Sequence, residues 1–277
     1  MKIALCNEVL RPLPFERQCA LAAALGYDGL EVAPFTLADD PTTITDGRAR
    51  EVARIAADHG LAITGLHWLL VAPPGLSIVS ADAAVRRRTT EVMCRMVELC
   101  AAMGGKVLVH GSPRQRSVPA GESRDAALER ARECFAGAAH AAEAAGVTYC
   151  VEPLAPAETD LINTVAEGVR LVDAIDSPAL RTMIDCSAAG QAEAASVPAL
   201  ITRWWPTGKL AHVQVNDPNR RGPGQGEMPF APVLAALRHV GYDGVIAVEP
   251  FDYLPDGPGC AARAIGYLRG LLEASSG

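Results

Sequence analysis

Short apolar runs rich in β-branched residues alternate with longer, Ala-rich amphipathic stretches along the whole chain, and this alternation leaves few folds open. The runs predict eight strands, from Ile3 to Asn7, Gly29 to Ala33, Ala62 to His67, Lys106 to His110, Thr148 to Glu152, Arg181 to Asp185, Ala211 to Val215 and Val245 to Glu249. Strands joined through helix-length crossovers pair in parallel. Eight βα units within 277 residues fit one (β/α)8 barrel, typically of about 250 residues, better than two ordinary domains. The expectation is a single α/β domain over residues 1–277, with its active site at the C-terminal ends of the strands.

Glycine punctuates the predicted helix ends at Leu25-Gly26, His59-Gly60, Met103-Gly104, Ala145-Gly146 and Val240-Gly241, where a left-handed cap stops the helix. The turn Gly26-Tyr-Asp-Gly-Leu-Glu-Val returns as Gly241-Tyr-Asp-Gly-Val-Ile-Ala-Val, either a trace of internal repetition or a favoured turn. Pro/Gly-rich segments at 72–75, 153–156, 216–229 and 251–259 all follow predicted strands. They therefore frame one face of the barrel, where such a fold places its chemistry.

Four of the predicted strands end in or contain a side chain suited to a divalent cation: Glu152, Asp185, His212 and Glu249. Each alone has a plainer reading as a salt bridge, a helix cap or a core histidine. In strand order and at one rim they form a mixed oxygen and nitrogen donor set, without the thiolates of a structural zinc site. Buried glutamates are costly unless they are paired or bound to a cation, which argues the same way for Glu152 and Glu249. The set suits one divalent metal, manganese first, with cobalt, magnesium and zinc also compatible. His67 and His110 also end predicted strands, and bind substrate hydroxyls, build a second metal site with Glu152, or simply pack. Glu8 follows the first strand onto the same rim, facing either substrate or water.

Hydrophobic residues make up 49% of the chain and aromatics 5%, so the core is aliphatic and disorder is not expected. A formal net charge of −7 repels a phosphate backbone and disfavours nucleic acid as a partner. No stretch approaches the roughly 18 apolar residues of a membrane span, and no signal-peptide pattern opens the chain, so a cytoplasmic location is expected. Eight cysteines without a Cys-x-x-Cys pair read as free buried thiols.

The segments Val151-Glu-Pro-Leu, Ile184-Asp, His212-Val-Gln-Val-Asn-Asp with its Arg-Gly-Pro-Gly-Gln-Gly tail, and Ala247-Val-Glu-Pro-Phe resemble the xylose-isomerase-like TIM-barrel superfamily. Within it, the resemblance is to sugar isomerases and epimerases of the ketose 3-epimerase and hydroxypyruvate isomerase type. It extends to Gly65-Leu-His-Trp and Val109-His-Gly-Ser-Pro. The resemblance implies one divalent metal on Glu152, Asp185, His212 and Glu249, with Glu152 and Glu249 doubling as acid/base catalysts. It further implies substrate contacts from Glu158 and Arg220, a sugar or polyol ketone as substrate, and a dimer or tetramer.

One departure stands out: the ketose epimerases usually carry a histidine three residues after the metal-binding aspartate, where this chain has Ala188. A hydrogen bond to the substrate is then lost or supplied from elsewhere. The same carboxylates and metal would serve epimerisation, aldose–ketose isomerisation or loss of a β-hydroxyl from a cyclic polyol ketone. An abasic-site endonuclease and a non-catalytic sugar-binding barrel are the remaining readings.

Overall fold

The computed structural model describes residues 1–275. Eight parallel strands close into a barrel in sequence order: β1 (Lys2–Cys6), β2 (Gly29–Val32), β3 (Ala62–Leu66), β4 (Val107–His110), β5 (Thr148–Val151), β6 (Leu180–Asp185), β7 (Leu210–Val215) and β8 (Val245–Val248). Each lies within one residue of the boundaries expected from the apolar runs. Pairing of Ala4 with Ala247 and of Leu5 with Val248 joins the last strand to the first.

Around the barrel run α1 (Phe15–Leu25), α2 (Asp46–Asp58), α3 (Ala83–Ala102), α4 (Arg124–Ala145), α5 (Val165–Ile175), α6 (Cys186–Ala192), α7 (Val197–Trp204), α8 (Phe230–His239) and α9 (Gly257–Ala274). Their starts are capped as the physics of orphaned N–H groups requires. Thr164 and Glu167 form a reciprocal capping box on α5, and Asp256, Ser123 and Thr45 accept backbone N–H groups at α9, α4 and α2. Gly26 and Gly146 cap α1 and α4 with φ of 91° and 66°, a conformation in which any Cβ would be strained.

Strand parity separates two apolar layers. Leu108, Tyr149, Val151 and Ile184 join the large core between strands and helices, whereas Val109, Cys150 and Met183 form a small separate cluster inside the barrel. Because paired residues of a parallel sheet face the same side, this parity determines which strand-end side chains can reach the central cavity. All eight cysteines are free, and only Cys94 is not fully buried. Trp205 packs edge-on against Tyr242 at 4.8 Å, and Trp204 lies beneath the Arg203 guanidinium, so both stack on neighbours of the barrel's outer layer. No helix among the described residues is long and apolar enough to cross a membrane.

Candidate active site

Glu152 leaves β5, Asp185 ends β6 and Glu249 leaves β8, and all three are buried, with ligand-capable oxygens within 4.8 Å of one another. Neither Glu152 nor Asp185 has a lysine or arginine nitrogen within ion-pair distance among the described residues. Burial is the main force raising all three carboxyl groups: Asp185 is pushed up to about 7, Glu249 to about 8, and Glu152 well above the usual range. Mutual repulsion adds to this at Glu152, through Glu249 and then Asp185. Three carboxyl groups gathered out of water, answered only by the His67 imidazole at Glu249 and by Arg116 acting at a distance on Glu152, are what a divalent cation would neutralise.

Local structure fixes each of them. Asp185 caps α6, where its Oδ1 accepts the Ala188 N–H at 2.7 Å, and its Oδ2 accepts Asn216 Nδ2 at 2.7 Å. Asn216 Nδ2 also reaches the Glu249 carbonyl at 2.9 Å, tying the ends of β6, β7 and β8 together. Glu152 lies flat against Gly111, where a Cβ would overlap its Oε2. His67 spans 2.8 Å to Glu249 Oε1 through Nδ1 and 2.9 Å to Glu8 Oε2 through Nε2, leaving Glu249 Oε2 buried without a hydrogen bond. Burial opposes charge on His67, but Glu8 and Glu249 outweigh it and raise the imidazole well above its ordinary value.

Two expected histidines go elsewhere. His212 pairs with Met183, two residues below Asp185, and its Nε2 forms a 2.8 Å ion-pair contact with Glu31 Oε2 deep in the barrel. It does not join the carboxylate trio. Glu31, fully buried on β2, would have its pKa raised by burial, yet His212 lowers it below the ordinary value. His110 also lies away from the trio, as the packing alternative has it. It is the register partner of outward-facing Val151, and so enters the helix layer, 2.7 Å from Tyr149 Oη and edge-on to Phe135. Burial there lowers its pKa to about 3, and it packs away from the cavity as a neutral ring.

Gln214, which the sequence reading passed over, stands level with Asp185 in the β6–β7 register and one pleat nearer the rim than His212. Its Nε2 donates to Glu31 Oε1 at 2.8 Å, while its Oε1 is buried and accepts no hydrogen bond. The signal was the alternation in His212-Val-Gln-Val-Asn, which puts Gln214 and Asn216 on the same side as His212. Glu31, a charge inside an otherwise apolar strand, carried a similar signal.

The cavity has two connected chambers. The lower is lined by Glu152, Glu158, Glu249, Ser112, Trp68 and Phe251. The upper, about 420 Å³, shares Trp68 and Phe251 and adds Glu8, Arg11, Phe35 and Arg220. Arg220 adopts φ of 71°, stacks at 4.8 Å over Phe251 and reaches Glu158 at 3.4 Å, while its carbonyl accepts the N–H groups of Phe251 and Asp252. The loop after β7 is thereby locked to the loop after β8. Glu8 and His67 are linked to Glu249 by hydrogen bonds, Glu158 lines the lower chamber with Glu152 and Glu249, and Arg220 reaches Glu158. A larger cavity of about 980 Å³ lies off this axis, beside α7 and α8, and its Asp217 is engaged by the N–H groups of Asn219 and Met228.

The model of the family described as xylose isomerase-like TIM barrel matches residues 19–271. D-psicose 3-epimerase of Ruminiclostridium cellulolyticum is 30% identical over 233 residues, covering 83% of this chain and 75% of the relative. L-ribulose 3-epimerase of Mesorhizobium japonicum is 29% identical, covering 86% of this chain and 75% of the relative. A solved structure of L-ribulose 3-epimerase superposes with a TM-score of 0.83 at 24% identity, covering all of this chain and 96% of the other. With its eight-stranded barrel and its carboxylates at the C-terminal rim, the chain belongs to the xylose isomerase-like TIM-barrel family.

Proposed function

We propose that this protein is an isomerase that epimerises a ketose, or a related polyhydroxy ketone, by removing and returning the proton α to the carbonyl. The observation that carries this is the placement of Glu152 and Glu249. They reach one cavity from strands three places apart in the barrel, with Asp185 between them. Two carboxyl groups on different arcs can take a proton from one face of a carbon and deliver one to the opposite face, which inverts that carbon. Burial supports the role, since a carboxyl group raised toward neutral pH serves as either acid or base near working conditions. His67, itself anchored by Glu8, holds Glu249 Oε1 and leaves Oε2 as the oxygen available for proton transfer.

Glu152, Asp185 and Glu249 also suit one divalent cation, and His212 and Gln214, which share a face of β7, are the side chains from which a fourth donor would come. Hard oxygen donors of this kind favour manganese or magnesium. When bound, the cation supplies positive charge beside the oxygens of the developing enediolate, worth several kcal/mol. The names of the related 3-epimerases point to the same reaction class.

Incubation with free ketoses and Mn²⁺ in deuterium oxide tests the reading. NMR should show deuterium at the carbon α to the carbonyl together with the epimeric product, and Glu249→Gln should abolish both. Absence of exchange with every ketose tried would refute the proposal.

A further inference from the structure

Arg11 lies in the wall of the upper chamber, and its guanidinium has no hydrogen bond or ion-pair partner among the described residues. The guanidinium lies beside the Phe35 ring, 5.3 Å from Cζ to the centroid. Across the same chamber, Arg220 is stacked on Phe251 and only loosely answered by Glu158 at 3.4 Å. Glu8, the carboxylate in this wall, is hydrogen-bonded to His67 through Oε2. The rest of the wall is aromatic or apolar: Phe35, Trp68, Val71, Phe251 and Tyr253.

Against the single carboxylate of Glu8, whose Oε1 has no hydrogen-bond partner, this lining sets two arginines. It presents one unpaired cation and one weakly paired cation, both exposed at the mouth of the chamber, with an aromatic ring 5.3 Å from Arg11 Cζ and 4.8 Å from Arg220 Cζ. An aromatic face orients a guanidinium and leaves its N–H edge free to form charge-assisted hydrogen bonds to oxyanions. At about 420 Å³, the chamber is itself within the range of about 300–1,000 Å³ that encloses a small ligand. It shares Trp68 and Phe251 with the chamber lined by Glu152 and Glu249. A substrate longer than its reacting carbons would enter a space that carries two arginines and one carboxylate.

We infer that Arg11 is a specificity-determining residue that, with Arg220, receives an anionic group, phosphate or carboxylate, on the end of the substrate remote from the reacting carbons. This rests on the proposed ketose chemistry for the identity of the reacting end, but the recognition it describes needs no turnover. It also gives a reason for Ala188: with the remote end anchored by charge, a polar contact beside Asp185 is less needed.

Two measurements test it. Calorimetric binding of a hexitol, its terminal phosphate and the matching hexonate, none of which can react, should show at least about 10-fold tighter binding of an anionic form. Which anion binds more tightly identifies the group. The preference should weaken as salt is raised, fall to about one in Arg11→Met and partly return in Arg11→Lys. In turnover, the ratio of kcat/KM for anionic to neutral ketose should collapse in the same variants. Equal binding of all three polyols to the wild-type protein, or an Arg11→Met variant that weakens all three by one common factor, would overturn the inference. Preferential binding of the anion without solvent exchange in any ketose would instead refute the epimerase reading and leave the anion site standing.

Discussion

The position most tightly coupled to the chemistry without touching it is Gly111. Its backbone φ is not in the left-handed region, so alanine meets no conformational penalty there, and the whole effect of a methyl group falls on Glu152. The added Cβ would overlap Glu152 Oε2 and stand 3.3 Å from the carboxyl carbon. The carboxylate must then give by on the order of 1 Å, and a misplacement of that size at a reacting group costs about 10²-fold in rate. A factor of 100 is about 2.7 kcal/mol of lost transition-state stabilisation. Gly111→Ala should therefore lower kcat about 100-fold in a coupled or chromatographic epimerisation assay, with a smaller change in thermal midpoint than a core truncation produces. Gly111→Ala with wild-type kcat would refute both the packing argument and the assignment of Glu152 as acid/base.

Three further outcomes follow from the site. Asp185 at about 7 and Glu249 at about 8 sit above ordinary carboxylate values, so their stabilising contribution is complete below about pH 4 and is lost as pH rises through 7 to 8. In chelator, calorimetry should show the melting temperature falling between pH 5 and 8, and added Mn²⁺ should reverse the fall; a flat profile in chelator counts against the buried-trio electrostatics. His212→Asn leaves Glu31 buried without its ion pair, and should cost about 3–5 kcal/mol in chemical denaturation. Gln214→Leu removes the buried hydrogen bond to Glu31 Oε1 and should cost about 1–3 kcal/mol; whichever of the two variants also weakens Mn²⁺ binding by about 10-fold or more identifies the fourth donor. His110→Phe should leave the Tyr149 hydroxyl unpaired, at about 1–3 kcal/mol in stability, with kcat within about twofold; a large kcat loss without destabilisation would contradict its outward placement.

The barrel was legible because two periods, 2.0 for strands and 3.6 for helices, alternate without interruption, and because glycine ends helices by a local backbone rule. Strand boundaries came within a residue, helped at β2, β3, β4, β5 and β8 by the helix-stopping glycines that precede them. Glu152, Asp185 and Glu249 were legible for a related reason: a carboxylate at the end of an apolar strand has to be explained by a partner or a cation. Ala188 was visible as a departure, but its surroundings were not.

Parity and register were harder to read. His110 and Glu152 both stand at strand ends, yet the pairing of His110 with Val151 sends its ring into the helix layer. His212 and Gln214 share a face, and only the alignment of β7 against β6, with its irregularity between Thr182 and Met183, shows which one stands level with Asp185. A shift of one residue in a parallel pair reverses the side a chain faces, and a shift of two moves it a pleat along the barrel axis. Short-range pattern determined which elements form and which carry costly charges, because those energies are local. Long-range closure of the sheet decided which charges meet, placing His212 on Glu31 and Glu249 on His67, because contacts between distant strands depend on register that no single segment contains.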